Sequence, residues 1–249
     1  MNAISSTSNV EVKHLVHLKD KGYRYKHHQF VAEGIRTCST LVEAGVPLLR
    51  LYVTQAAYEA HDISKLAKRF VVISNEIAKH VSSTTTPSGI LGVFSFEEHN
   101  LQIHTPGLVL AQVQDPGNLG TLLRTACAFN IKHIYCIQTV DPYHPKVVQA
   151  SAGALGQLFI YQAGWKDIVS AKKPTQNLCA LVSKDGDLPN NLYGNNNLLV
   201  VGNEAHGLPS SWENACEKKI TIPMPGNTES LNASIAGALG MYFMVQEIK

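Results

Sequence analysis

The chain has 249 residues, of which 45% are hydrophobic and 16% charged, with 21 Lys and Arg against 19 Asp and Glu. A chain of this length buries about 70–75% of its unfolded surface, so neither disorder nor a fold that depends on disulfides or metals is expected. The longest apolar run, Ala233–Val245, has thirteen residues, short of the ~20 that span a membrane.

The opening MNAISSTSNV lacks a basic stretch followed by an apolar one, so it does not read as a secretory signal and a cytoplasmic location is expected. Val12, Leu15 and Val16 give helical spacing over Val10–Leu18. FVAEG is a short strand candidate. Ile35–Ala44 is helical and stops at Gly45 and Pro47. LLRLYV, VVIS and ILGVFSF read as further strands, which makes residues 1–97 a small α/β domain. The polar segment 98–106 ends at Pro106-Gly107 and reads as a linker.

Residues 107–249 alternate more clearly. GLVLAQV, IKHIYCI, LFIY, LCALV and LLVVG are short apolar strands. Helices are expected over Leu119–Phe129, over Lys146–Leu155 behind Pro145, and over Ser230–Lys249. Continuous apolar strands between helices indicate a parallel sheet covered on both faces. The five cysteines include no CxxC pair; buried thiols fit better than a disulfide framework or a zinc site, and no metal is expected.

Ligands of such sheets bind at the carboxyl ends of strands, and three junctions there carry unusual residues. The first is Gln114-Asp115-Pro116-Gly117-Asn118-Leu119-Gly120, with Arg124 in the following helix. Asn118 stands where a helix cap would, the amides behind it favour an anion, and Arg124 has the reach to grip a phosphate or orient a hydroxyl. The second is Gly202-Asn203-Glu204-Ala205-His206-Gly207, where two glycines permit close backbone approach to a ligand around one carboxylate. His206 reads as a solvent-facing loop residue. The third runs from Ile222-Pro223-Met224-Pro225-Gly226 through Ser230-Leu231-Asn232 into the last helix, with Ser230 or Thr228 as its expected cap. Each junction alone is matched by an ordinary capped helix or turn. Nothing in the chain matches GxGxxG after a strand, GxxxxGK[ST], GxSxG or HExxH.

In order, Asn118-x-Gly120-x-x-x-Arg124-x-Ala126, Gly202-x-Glu204-x-x-Gly207 and Ile222-Pro223-Met224 with Ser230-Leu231-Asn232-x-Ser234 resemble the three motifs of the SpoU/TrmH branch of the SPOUT RNA methyltransferases. Ala233 stands where that family often has valine. Tyr25-Lys26-x-x-Gln29-Phe30-Val31-Ala32-Glu33-Gly34-Ile35-Arg36 resembles the ribosomal-protein-like substrate-binding domain found ahead of many such enzymes. The resemblance implies a parallel-sheet SPOUT domain with a C-terminal trefoil knot, a homodimer, and S-adenosylmethionine held by Gly202, Ile222, Met224 and Leu231. It implies methyl transfer to an RNA ribose 2′-hydroxyl, with Arg124, Asn118, Glu204, Ser230 and Asn232 at the reacting centre.

An arginine loses its proton only above about pH 12, so orientation and alkoxide stabilisation suit Arg124 better than a base role. Glu204 would tie the loops together and hold Arg124. RNA is the expected partner on local charge too: residues 13–36 carry six Lys and Arg against two acids, interleaved with His and Tyr. Lys19, Lys21, Arg24, Tyr25, Lys26 and Arg36 are the candidate contacts. Ribosomal RNA is favoured over transfer RNA, with a non-catalytic RNA binder of the same fold as the other alternative.

Overall fold

A computed structural model describes residues 3–226 and 228–246. In the first part of the chain, helices α1 (Val10–His17), α2 (Lys21–His27), α3 (Ile35–Glu43), α4 (Gln55–Ala60) and α5 (Asn75–Val81) alternate with strands β1 (Gln29–Glu33), β2 (Leu48–Val53), β3 (Val71–Val72) and β4 (Ile90–Ser95). The rest contains strands β5 (Gly107–Ala111), β6 (His133–Ile137), β7 (Phe159–Gln162), β8 (Asn177–Val182), β9 (Asn197–Val201) and β10 (Lys218–Thr221). Its helices are α6 (Pro116–Ala128), α7 (Pro145–Ser151), α8 (Trp165–Ala171), α9 (Ser210–Glu213) and α10 (Ala233–Val245).

The chain divides into two compact units, Met1–Glu97 with Tyr143–Gln157, and Glu98–Pro142 with Leu158–Lys249. The first is built on a mixed sheet of order β1-β4-β2-β3. Asn9, Asp20, Thr54 and Ser74 cap its helices through side-chain oxygens, as short polar residues before an amphipathic run are expected to do. Val12, Leu15, Leu18, Ile77 and Leu91 fill one core of this unit. Residues 143–157, which the sequence places in the second domain, pack here instead. The Tyr143 ring stacks on Phe96 at 4.0 Å. A Cβ on Gly153 would lie 2.7 Å from the Thr37 carbonyl, so that turn rests directly on α3. The apolar face of α7 is satisfied in this unit, which no local sequence signal reveals.

The second unit is a wholly parallel sheet of order β10-β8-β9-β5-β6-β7, as the apolar strands predict. β5 and β9 are buried along their whole length. The expected linker 98–106 is tied to this unit: Leu101 and Ile103 pack on its core, and the Tyr135 hydroxyl accepts from the His104 amide at 2.7 Å and donates to the Gln102 carbonyl at 3.0 Å.

α10 closes the second unit over α6 and the sheet. A Cβ on Gly237 would sit 2.4 Å from Leu122 Cδ2, and one on Gly240 2.9 Å from Leu199 Cδ2. The small residues therefore seat this helix directly on its neighbours. Its other side leaves Ile235, Leu239 and Tyr242 at 51%, 37% and 44% exposure. Spaced four and three apart, they form one apolar stripe. α10 starts at Ala233 rather than at Ser230, because Asn232, not Ser230 or Thr228, caps it. The end of the expected helix, residues 247–249, lies outside the described residues. Among the described residues no helix is long and apolar enough to cross a membrane, and no group of three His, Cys, Asp or Glu is placed to hold a metal ion.

Candidate active site

The carboxyl ends of β5, β9 and β10 carry the three unusual junctions. β9 leaves the sheet through a tight loop. Asn203 and Gly207 exchange two backbone hydrogen bonds of 3.0 Å, and the Asn203 Oδ1 accepts from the Ala205 and His206 amides at 2.9 and 3.1 Å. Gly207 has a left-handed φ of 65°. A Cβ on Gly202 would fall 2.6 Å from the Gly207 carbonyl carbon, so only glycine lets the loop fold back this closely.

That fold presents Glu204 to the first junction. Its carboxylate accepts from the Asp115 amide at 3.1 Å, the Gln114 amide at 3.4 Å and the Asn118 side-chain amide at 3.2 Å. Asn118 is free for this because Asp115, not Asn118, caps α6: Asp115 Oδ1 accepts from the Asn118 amide at 2.8 Å, and Pro116 opens the helix. A proline loses no hydrogen bond at that position. Asn118 Oδ1 then accepts from Asn232 Nδ2 at 3.0 Å. Asn232 Oδ1 in turn accepts from the Ser234 amide at 2.8 Å and from its hydroxyl at 2.6 Å. One hydrogen-bonded chain, Glu204–Asn118–Asn232, joins residues of all three junctions.

Beside it lies a cavity of about 370 Å³, at the lower end of the range for small-molecule sites. Gly202, Glu204, Ile222, Met224, Ser230 and Leu231 are among its lining residues. All four residues expected to hold a cofactor are therefore together at one cavity. Leu181–Lys184, Ala233 and Ala236 also line it; of these the sequence marks only Ala233, since an apolar strand end carries no signal of its own.

Arg124 stands apart. It is exposed on the face of α6 that also carries Gly117, Thr121 and Ala128. The Glu204 carboxylate is engaged by Gln114, Asp115, Asn118 and Asn203. Among the described residues no hydrogen bond or ion pair joins it to Arg124, contrary to the expectation that it would hold that residue.

The candidate RNA contacts of the first unit separate in the structure. Arg24 is 1% exposed, and its guanidinium donates to the Leu18 and Lys19 carbonyls at 2.8 Å each. It satisfies carbonyls behind α1 and does not face a polyanion. Lys19 is exposed but its ammonium donates to the His80 and Ser82 carbonyls. The Tyr25 ring meets Phe96 edge-on at 5.2 Å and lies under the Lys21 ammonium, so it is not an open stacking surface. Lys21, Lys26 and Arg36 are exposed.

Residues 106–242 match the model of the SpoU rRNA methylase family, and residues 9–92 that of the MRM3-like substrate-binding domain. The 23S rRNA (guanosine(2553)-2′-O)-methyltransferase RlmP of Bacillus subtilis is 24% identical over 250 residues, covering 98% of this chain and 99% of its own. A crystal structure of an RNA 2′-O ribose methyltransferase superposes with a TM-score of 0.83 at 27% identity, covering 99% of both chains. The SpoU methyltransferase AviRb of Streptomyces viridochromogenes, solved with AdoMet, has the same fold, with a TM-score of 0.81 at 24% identity over 95% of this chain and 97% of its own.

Proposed function

The chain belongs to the SpoU rRNA methylase family, and on that footing we propose that the cavity beside Glu204 is its S-adenosylmethionine site. The protein is an S-adenosylmethionine-dependent RNA methyltransferase that modifies a ribose 2′-hydroxyl, and its substrate is ribosomal RNA. The observation that carries this reading is the hydrogen-bonded chain from Glu204 through Asn118 to Asn232, which organises the mouth of the cavity.

When bound, the sulfonium supplies an electrophilic methyl group. The protein's part is to hold the ribose oxygen in line with it and to stabilise that oxygen as its proton leaves. Gly202 gives close backbone access, while Ile222, Met224 and Leu231 line the cofactor's side. Ser230 lines the same cavity. Asn118 and Asn232 are positioning residues fixed by Glu204. Arg124 supplies the charge that orients the 2′-hydroxyl and stabilises the developing alkoxide.

Arg124 reaches that role in a homodimer. It lies on α6, which packs side by side with α10, and α10 carries the exposed stripe Ile235, Leu239 and Tyr242. A helix apolar on all sides belongs in an interface, and a second copy covering this stripe would take Arg124 out of bulk water beside the partner's cavity. The same family reading implies a trefoil knot. It is supported by the return of the chain from edge strand β10 to seat α10 over β8 and β9, while Gly186 and Asp187 hydrogen-bond to β10. The domain arrangement is a substrate-binding part within residues 1–97 and a catalytic part in 107–249, with residues 143–157 packed in the first unit. Lys19, Lys21, Lys26 and Arg36, with Tyr25 under Lys21, supply RNA contacts from the first part.

Arg124→Ala should lower methyl transfer to ribosomal RNA about 10²- to 10³-fold while calorimetric affinity for S-adenosylmethionine stays within about twofold. Transfer at the wild-type rate would overturn the role given to Arg124, and transfer to transfer RNA alone would overturn the substrate. Replacing Lys21, Lys26 and Arg36 with Gln should make log Kd for RNA less steep in log salt by about 2 to 3; an unchanged slope would place RNA elsewhere. Leu239→Lys should turn a dimer into a monomer in sedimentation equilibrium, and a dimer that survives it would exclude the α10 stripe as the interface.

A further inference from the structure

The other end of the parallel sheet, about 15 Å along β6 from its carboxyl end, carries a cluster of rings that methyl transfer does not use. His133 opens β6 and Phe159 opens β7, and the two are register partners. Their rings stack with centroids 5.2 Å apart and planes within 13°. The His133 ring also stacks on His104, at 4.2 Å and 19°. His99 meets Phe159 edge-on at 5.6 Å. The Tyr161 hydroxyl lies 3.3 Å from His133 Nδ1, and Gln102 Oε1 lies 3.3 Å from His104 Nε2. Three nearly parallel rings are thus held in place before anything binds.

These rings line an open depression of about 510 Å³. Phe159 is 44% exposed, and every other phenylalanine of the chain is buried or half-buried. A large apolar ring left in water at the wall of a depression is a binding surface without its occupant. The rest of the lining is Tyr161, Asn100, Gln102 and Glu98, with no aliphatic side chain. A protein partner would be met by a more apolar centre than this. Exposed Lys132 precedes His133. Burial, together with the charges of His104 and Lys132, pushes the His133 imidazole down to about 4, so at neutral pH it is an uncharged plate.

We propose that His104, His133 and Phe159 form a stacking platform for an unpaired base of single-stranded RNA, a second RNA contact at the end of the sheet opposite the methyl-transfer cavity. The inference rests on the RNA methyltransferase reading above. A base extends the row of rings by one more plane, and because every base has a π face the platform is indifferent to sequence. The side-chain amides of Asn100 and Gln102 carry donors and acceptors for base edges of either kind. Lys132 supplies the cation for the adjoining phosphate and offsets the charge of Glu98.

The test uses the full-length protein and labelled hexauridylate. By fluorescence anisotropy, Phe159→Leu should bind the oligonucleotide about fivefold to tenfold more weakly than wild type, the loss of one stacked base. The dependence on salt should be unchanged, since no phosphate contact is lost. Phe159→Trp, which keeps a π face, should bind at least as tightly as wild type. Leucine retains apolar bulk at an exposed site, so both variants should melt within about 2 °C of wild type, which separates lost stacking from lost folding. Hexauridylate carrying one 5-iodouridine should, on irradiation, crosslink to Phe159 or His104, as read by mass spectrometry. Equal affinities of the three proteins, or crosslinks confined to other parts of the chain, would overturn the platform. Absence of methyl transfer to ribosomal RNA by the wild type, measured in parallel, would instead overturn the reading on which it rests.

Discussion

The site depends on one carboxylate receiving four N–H donors. Glu204 accepts from the amides of Gln114 and Asp115 and from the side chains of Asn118 and Asn203. Hydrogen bonds to an ionised acceptor are each worth about 1.5–3 kcal/mol, more than neutral ones. Without that charge, the loops after β5 and β9 have no shared partner. Asn118 then has no fixed orientation to pass on to Asn232 and the start of α10. The chain of three side chains converts separate strand ends into a single cavity mouth.

Close backbone approach is the second requirement. The loop after β9 folds back on itself because Gly202 has no Cβ to meet Gly207. α10 seats on α6 and the sheet because Gly237 and Gly240 leave room for Leu122 and Leu199. This close seating brings Asn232, at the head of α10, within 3.0 Å of Asn118. The small residues and the polar chain are therefore coupled: bulk at Gly237 would move the helix that carries the last link.

Much of this was legible in the amino acids. Apolar strands without alternation announced a parallel sheet, and the resemblance to three ordered SpoU motifs marked Asn118, Glu204 and Asn232, residues that do converge. Local chemistry misled where two residues compete for one task. Asp115 took the cap expected of Asn118 because Pro116 starts the helix earlier, and Asn232 took the one expected of Ser230. Arg24 looked like one cation among several in a basic segment, yet its neighbours' free carbonyls turn it inward. α2, α4, α5 and α8 escaped notice because short helices of six or seven residues present too little periodicity. The packing of α7 in the first unit is set by tertiary contacts, which a linear pattern does not encode.

A double-mutant cycle on methyl-transfer rate with Glu204→Ala and Asn118→Ala tests most directly whether Glu204 acts by holding Asn118. If it does, the double mutant should be barely slower than Glu204→Ala alone, with a coupling energy of about 1–3 kcal/mol. Effects that add to within about 0.5 kcal/mol would contradict the account and make the two residues independent.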